Sequence, residues 1–367
     1  MVILDKQKKI AILGTRGIPN NYGGFEQLAQ YLSLGLSQRG YDVTVYNPHD
    51  HEYKEPLYHS VKIVKKLDPH KILGSASQFV YDYICLRDAI RRHLDVVIEL
   101  GYGSSALSLL ICSTKNIKVI TNMDGMEWQR QKWNLVVQRL TRWFEKIAVN
   151  KSDILVSDSK EIQKYYLNNY GKPSTFIPYG ADPVLEIDDS HLDKFKLTNR
   201  NYHLIICRLE RENNIETIIN GVLKSNNVSP LVIVGNHQVG YGKSIFNKFK
   251  SHNKIRFLNS IYNRDVLNCL KKYSMLYFHG HSIGGTNPSL LEAMASGCQI
   301  AAHDNPYNRE VLGLDAQYFS NFNDVKNIID NKVVLPEITQ TRIQNNLDKI
   351  DKIYNWDAII QSYEAIL

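Results

Sequence analysis

Short, nearly uncharged runs rich in Val, Ile and Leu alternate along the chain with longer stretches in which apolar positions return every three or four residues. KIAILG (9–14), YDVTVYN (41–47), DVVIELG (95–101), IKVITN (117–122) and DILVSDS (153–159) have the pattern of strands buried on both faces of a parallel sheet. Between them lie helical patterns such as FEQLAQYLSLGLSQRG (25–40), which stops on Gly40. The alternation then restarts with YHLIICRLE (202–210), LVIVGN (231–236), KIRFLN (254–259), SMLYFHG (274–280) and QIAAHD (299–304). The best seam is FIPYGADPV (176–184), punctuated by Pro178, Gly180 and Pro183. The final stretch reads as helices broken near Tyr354, Asn355 and Trp356. This pattern predicts an α/β protein of two Rossmann-like, doubly wound domains facing each other across a cleft, with ligands at the carboxyl ends of the strands.

Length and composition narrow the class without choosing a ligand. At 367 residues the chain is long enough for two cores, and 43% hydrophobic with 22% charged residues is a globular balance. The formal charge of +7 suits a polyanionic ligand or an anionic membrane surface as readily as nucleic acid, and no nucleic-acid partner is expected. Five scattered cysteines with no CxxC pair argue against a disulfide frame or a structural zinc and for a reducing compartment. MVILDKQKKIAILG lacks a signal-peptide apolar core, and no run approaches the roughly 18 apolar residues of a membrane span. A cytoplasmic location is expected.

Three loops carry the candidate chemistry. LGTRGIPNNYGGFEQLA (13–29) follows the first strand, and its glycines are wrongly spaced for GxGxxG. Gly23 and Gly24 at a helix start nevertheless let backbone come close to a phosphate or sugar; a flexible turn would look the same. CRLERENN (207–214) sets Arg208 at a strand's carboxyl end, where a guanidinium clamps a diphosphate, against the alternative of a surface ion pair with Glu210 or Glu212. HGHSIGGTNPSLLEAMASG (279–297) breaks from a glycine loop into a helix with Asn287 as N-cap, Pro288 at the first position and Gly297 as the stop. Free N–H groups of that first turn would face an anion, with Glu292 about one turn further in. No DxD-type cluster offers a Mg²⁺ site, so the expectation is a metal-independent site in which protein groups neutralise a leaving diphosphate.

GTRGIPNNYGGFEQLA, NMDGMEW (122–128) and HGHSIGGTNPSLLEAMASG, with FIPYGAD, resemble family 4 of the GT-B glycosyltransferases, the retaining group, and within it the rhamnosyltransferase-like branch with a DUF1972 N-terminal domain. The resemblance covers nearly the whole chain. It implies an acceptor-side domain over 1–180, a nucleotide-sugar-binding domain over 181–345 and a C-terminal helix, 346–367, that packs back on the first domain. It implies further that Glu292 is the second carboxylate of the E-x7-E element and holds the ribose. Gly285, Thr286, Asn287, Pro288 and Ser289 would line the diphosphate and sugar, Arg208 would bind phosphate, and Gly23 and Gly24 would approach the donor. Three departures stand against the broad family pattern. Gly284 occupies the place of the first carboxylate, Asn213 the place of a lysine, and Asp124 a slot where many relatives have His. Asp124, at the end of a strand and beside Gly125, is expected to act with Glu127 on the acceptor, as base or orienting group; a helix N-cap is the alternative for Asp124.

WQRQKWNLVVQRLTRWFEKIAVNK (128–151) pairs an apolar stripe, Trp133, Val136, Val137, Leu140, Trp143, Phe144 and Ile147, with Lys132, Arg139, Arg142 and Lys146 on the opposite side. A core helix with a solvated back and a surface drawn to anionic lipid fit equally.

The sequence thus predicts a retaining glycosyltransferase that moves L-rhamnose from a nucleoside diphosphate, dTDP before UDP, to a cell-surface glycan or a lipid-diphosphate-linked acceptor. It would be cytoplasmic, with a peripheral place on the inner face of the cytoplasmic membrane. Open alternatives are a family-4 transferase of N-acetylglucosamine or glucose, a GT-B nucleotide-sugar 2-epimerase, and a non-catalytic sugar-nucleotide-binding protein.

Overall fold

A computed structural model describes residues 7–20, 23–129, 133–331 and 336–367. Among them the strands are β1 Lys9–Leu13, β2 Asp42–Pro48, β3 Leu57–Tyr58, β4 Val61–Lys66, β5 Val96–Leu100, β6 Lys118–Asn122, β7 Ile154–Ser157, β8 Thr175–Phe176, β9 His203–Ile206, β10 Leu231–Val234, β11 Ile255–Leu258, β12 Leu276–His279, β13 Ile300–His303 and β14 Gln317–Phe319. The helices are α1 Gly24–Gln38, α2 His70–Leu73, α3 Ser77–Arg91, α4 Ser105–Ile111, α5 Leu135–Lys151, α6 Lys160–Tyr170, α7 Ile215–Lys224, α8 Gly240–Phe249, α9 Arg264–Lys272, α10 Pro288–Ala295, α11 Pro306–Leu312, α12 Phe322–Asp330, α13 Pro336–Lys352 and α14 Trp356–Glu364. The chain forms two compact units, Met1–Tyr179 with Trp356–Leu367, and Gly180–Asn355.

In the first unit the described strands are ordered β3-β4-β2-β1-β5-β6-β7-β8, parallel except for the β3–β4 pair. The strands β1 and β5 are adjacent, with Ile10 beside Val96 and Leu13 beside Glu99. Their buried faces explain the uncharged runs: Ala11, Leu13, Val97 and Val119 pack with Tyr81, Cys85, Leu86 and Ala89 of α3 and Leu109 of α4. Burying each such aliphatic side chain contributes about 1.5–3 kcal/mol. Strand β4, VKIVKK, carries lysines on a partly exposed face, which is why the search for uncharged runs passes over it.

The carboxyl-terminal segment divides into α13 and α14 near Tyr354–Trp356, where the sequence reads a break. Ile343, Asn346 and Ile350 of α13 are buried within the second unit, and Lys349 bonds the Leu312 carbonyl and Asp315 there. Only α14 joins the first unit. Trp356 stacks on Tyr31 with ring centroids 4.2 Å apart, Arg39 bonds Asp357 and Glu364 at 2.6 and 2.7 Å, and Tyr363 is buried against Asn122. Gly35 of α1 makes the close approach possible: a Cβ there would lie 2.3 Å from Ile360 Cδ1.

The second unit is a parallel sheet ordered β11-β10-β9-β12-β13-β14. Renumbered from its own first strand this is 3-2-1-4-5-6, the doubly wound order whose crevice opens where the two halves diverge, between β9 and β12. Its core joins Ile205, Ile233, Phe278 and Ala301 to Ile215, Ile218, Ile219 and Val222 of α7 and Val325 of α12. Among the described residues no helix is long and apolar enough to cross a membrane.

Candidate functional site

The loops after β9 and β12 flank the switch point of the second sheet, and they hold most of the sequence-predicted donor residues. After β9, Arg208 has an exposed side chain, while its carbonyl accepts from Glu210 N at 2.8 Å and from Asn213 Nδ2 at 2.7 Å. Among the described residues it forms no ion pair with Glu210 or Glu212, so the bland surface-pair explanation lacks its contact. Glu212 is instead buried, with Oε1 lacking a hydrogen-bond partner.

The second loop is laced to the first. Ser282 N and Oγ both donate to the Glu212 carbonyl, at 3.0 and 2.9 Å, and Asn214 Nδ2 donates to the Gly280 carbonyl at 2.8 Å. Gly280 is obligatory here, because a Cβ would stand 1.9 Å from the Asn213 carbonyl oxygen. His281 Nδ1 lies 3.1 Å from Asn213 Oδ1, and its carbonyl accepts from Asn305 and Asn308, each at 3.0 Å.

The start of α10 differs in one respect from expectation. Asn287 Oδ1 accepts from Ser289 N at 2.9 Å and Ser289 Oγ at 2.7 Å, and the Asn287 carbonyl takes the N–H groups of Leu290 and Leu291. Pro288 has no N–H to give. The first-turn donors are therefore consumed by the cap, and anion donors at this end must come from the preceding loop, Gly284 to Asn287. Gly285 lies in that loop and Thr286 is buried at its end. Glu292 is half-buried, and its Oε2 accepts from Lys271 Nζ of α9 at 2.7 Å. Lys271 was not anticipated, since nothing in its own helix distinguishes it from a surface lysine.

Behind the loops sits a group of histidines. His279 is buried with Nε2 unpartnered, and its ring centroid is 6.1 Å from that of His281. Burial, with His281 and His303 nearby, lowers the His279 pKa to about 3, and burial also lowers that of His303.

In the first unit, Gly23 is the extended N-cap of α1 and Gly24 its first residue. Glu26 of that first turn is buried and holds the loop after β1, accepting from Thr15 Oγ at 3.2 Å and Arg16 N at 2.8 Å. Asn47 pairs with both polar groups of Ile18, and Gly17, at φ +97°, leaves room for the Asn47 amide. Asp124 follows β6 in the left-handed region, φ +48°, with its N–H donating to Asn122 Oδ1 at 3.0 Å. An N-cap residue usually has extended backbone, which Asp124 does not. Glu127 opens the short 3₁₀ turn Glu127–Gln129.

Lys132 lies outside the described residues. Arg139, Arg142 and Lys146 are exposed on α5, as expected, but the apolar stripe is divided. Phe144 and Ile147 are buried, whereas Val136 is 74% exposed, Trp143 47% and Leu140 45%. Apolar and basic side chains therefore share the outer side of this helix, in adjacent stripes rather than on opposite faces. Glu145, the acidic residue of the segment, is buried beneath Tyr102, Tyr165 and Tyr170, whose hydroxyls donate to it. Among the described residues no group of three His, Cys, Asp or Glu side chains is placed to hold a metal ion.

Residues 7–182 match the family described as Domain of unknown function (DUF1972), and residues 187–332 match Glycosyl transferases group 1. The chain is 28% identical over 168 residues, 45% of its length, to the UDP-N-acetylglucosamine–peptide N-acetylglucosaminyltransferase GtfA subunit of Limosilactobacillus reuteri subsp. suis. It is 24% identical over 226 residues, 55% of its length, to the alpha-1,3/1,6-mannosyltransferase ALG2 of Kluyveromyces lactis. These matches span 30% and 45% of the two curated relatives. Sucrose-phosphate synthase from Thermosynechococcus elongatus superposes with a TM-score of 0.81 at 15% identity, over 98% of each chain. The fold is GT-B, with two α/β units built on largely parallel sheets.

Proposed function

We propose, on the premise that the chain joins a DUF1972 domain to a group 1 glycosyltransferase domain, that it is a hexosyltransferase using a nucleotide sugar. The observation that carries this reading is the pair of loops laced across the β9/β12 switch point. They bring Arg208, the Gly284–Asn287 loop and Glu292 to one edge of one sheet. In that arrangement Arg208 and the loop amides would neutralise the diphosphate leaving group, and Glu292 would hold the ribose. Asp124 and Glu127 are assigned to the acceptor and Gly23 and Gly24 to the approach to the donor.

The finer reading is transfer of L-rhamnose from dTDP-rhamnose, with retention, to a glycan or lipid-diphosphate acceptor. It rests on the sequence motifs of the first section. The relatives named above are an N-acetylglucosaminyltransferase subunit, with a UDP-linked donor in its name, and a mannosyltransferase, so a donor carrying another hexose, such as UDP-N-acetylglucosamine or UDP-glucose, is the second reading. The exposed Leu140 and Trp143 beside Arg139, Arg142 and Lys146 support peripheral binding to an anionic membrane on the cytoplasmic side. A thermal-shift panel of dTDP-rhamnose, UDP-glucose, UDP-N-acetylglucosamine and GDP-mannose, followed by transfer assays with the stabilising donor, tests the function. Stabilisation by none of them would sink it, and a preference for a UDP sugar would replace rhamnose.

A further inference from the structure

We propose that the turn after β4, centred on Ile72 and Leu73, enters an anionic lipid bilayer beside α5, so that the first unit is held to a membrane at two points. The proposal rests on the peripheral-membrane reading of α5 and adds to it a second element with its own apolar residues.

The turn is short and lies wholly in solvent. Every residue of 71–76, KILGSA, is exposed. Helix α2 buries none of its four residues, and neither does the 3₁₀ turn Gly74–Ala76 that follows it. Ile72 is 85% exposed, and Leu67 and Leu73 are exposed with it. A one-turn helix draws its stability from packing an apolar face rather than from propensity. Here the aliphatic side chains point outward instead.

The turn and the outer side of α5 belong to one surface. Strands β4 and β6 lie in the same parallel run of the sheet, so the turn after β4 and the start of α5 after β6 share its carboxyl edge. An aromatic bridge joins them. Phe79, in the first turn of α3, has its ring centroid 5.5 Å from that of Phe144 on α5, and Phe144 is 5.5 Å from Trp143. Leu73 ends α2 one 3₁₀ turn ahead of α3, and α4 packs against both α3 and α5. Exposed Ile72 and Leu73 thus flank the bridge on one side, and exposed Leu140 and Trp143 on the other.

Charge selects the occupant. Residues 71–76 include Lys71 and no carboxylate, and Arg139, Arg142 and Lys146 stand exposed on α5, whose Glu145 is buried. Asp50 and Asp68 are turned to His70, at 3.5 and 3.9 Å, where the turn begins. The core of a protein interface is depleted of lysine, whereas apolar side chains among cations match the boundary between acyl chains and anionic headgroups. Ile72, Leu73, Leu140 and Trp143 would lie among acyl chains, with Lys71 and the cations of α5 at the headgroups. The carboxyl edge from which Asp124 follows β6 would then stand beside the bilayer that holds a lipid-linked acceptor.

The test is sedimentation of the intact chain with vesicles of equal phosphatidylserine and phosphatidylcholine, at low salt and at about 0.5 M salt, where screening acts within a few ångströms. Ile72→Ser with Leu73→Ser should lower the partition coefficient about tenfold to a hundredfold at both salts, the scale of two aliphatic side chains kept in water. Lys71→Glu should lower it about tenfold at low salt and hardly at all at high salt. Melting temperatures should stay near wild type, because these side chains are exposed. Ile111→Ser is the control: Ile111 is 67% exposed, but it ends α4 toward the amino edge of the sheet, and its variant should bind like wild type. An equal loss in Ile111→Ser would overturn the assignment to the turn. Binding that glutamines at Arg139, Arg142 and Lys146 weaken, but that the Ile72 and Leu73 double variant leaves unchanged, overturns this inference and spares the parent reading. A wild-type dimer that the double variant turns into a monomer, with vesicle binding unchanged, would give the turn to a second copy and overturn it too. Wild type that ignores the vesicles overturns both.

Discussion

Lys271 places its ammonium 2.7 Å from Glu292 Oε2 while its own side chain is only 1% exposed. The carboxylate assigned to the ribose is therefore also the counter-charge of a buried lysine. Glu292→Gln would leave that cation unpaired, which costs about 3–5 kcal/mol for a fully buried pair, less here because the Glu292 side chain is 31% exposed. A loss of nucleotide binding in the single variant would then mix stability with recognition. The double variant Lys271→Met with Glu292→Gln separates them. Its melting temperature is expected to return toward wild type, while affinity for the nucleoside diphosphate stays weaker by about 1–3 kcal/mol. Thermal melts and calorimetry check both; wild-type affinity in the double variant would remove Glu292 from the site.

Gly280 gives a second prediction, about the lacing of the two loops. A Cβ would meet the Asn213 carbonyl oxygen at 1.9 Å, and that contact is backbone, not a side chain able to turn aside. Gly280→Ala should cost about 1–3 kcal/mol by overpacking and should weaken nucleotide binding beyond what the lost stability explains. Gly240→Ala is the control for a glycine with open space, since nothing stands within 4 Å of its Cβ position. It sits at φ +51°, so backbone strain alone is the comparison. Equal nucleotide affinity in the two variants would show that lacing does not support the site.

How much of this could be read from the chain follows from range. The strands with apolar runs, Ile10 to Leu13 or Leu231 to Val234, are buried on both faces and declare themselves locally. The Asn287 cap and Pro288 also declare themselves, being contacts within one turn. Lys271 with Glu292, and Asn213 with His281, are contacts between segments 21 and 68 residues apart, and the sequence pattern has no period at that distance. Asn213 was visible only as a missing lysine; its bond to His281 needed the fold. The stripe on α5 misled for a related reason: helical spacing says which residues share a side, but not which neighbours cover it, and Leu140 and Trp143 are left uncovered.

Asp82 carries a pH prediction for the first unit. It is buried on α3, accepts from Gln78 Nε2 at 3.1 Å, and burial raises its pKa from 3.8 to about 6. A carboxyl whose folded pKa is raised stabilises the fold fully below the unfolded pKa, and that stability is lost as pH rises through the folded one. Stability should therefore fall between about pH 4 and pH 6, by up to about 3 kcal/mol at about 1.4 kcal/mol per unit. Asp82→Asn should flatten that fall and raise the melting temperature at pH 7. Melts of both proteins from pH 4 to pH 7.5 decide it; parallel curves would mean that Asp82 ionises freely.

On α5 the prediction is for lipid. Replacing Arg139, Arg142 and Lys146 with Gln should cut sedimentation with phosphatidylserine vesicles, each basic residue contributing about 1 kcal/mol near an anionic surface. Trp143→Ala, which removes an exposed apolar group, should weaken the same binding with less dependence on salt. Melting temperatures should hardly move, because these side chains are exposed. Undiminished vesicle binding by the triple variant would return α5 to an ordinary surface helix.

Asp124 gives the most discriminating substitution. Its left-handed backbone, φ +48°, is held by the N–H to Asn122 Oδ1 bond, and Asn122 Nδ2 in turn donates to Tyr363 Oη of α14 at 3.0 Å. Asn adopts the left-handed region as readily as Asp, so Asp124→Asn keeps the turn and removes the charge alone. If Asp124 takes or orients the acceptor hydroxyl proton, the variant should bind the donor normally, melt near the wild-type temperature and transfer sugar at least about 100-fold more slowly. Asn122→Ala should act on the same step through geometry. It removes the bond that sets Asp124 and the partner of Tyr363, so it should lower both turnover and stability. Acceptor titrations at saturating donor measure the step directly. Near-wild-type transfer by Asp124→Asn would assign the residue to the turn and leave Glu127 as the carboxylate to test next.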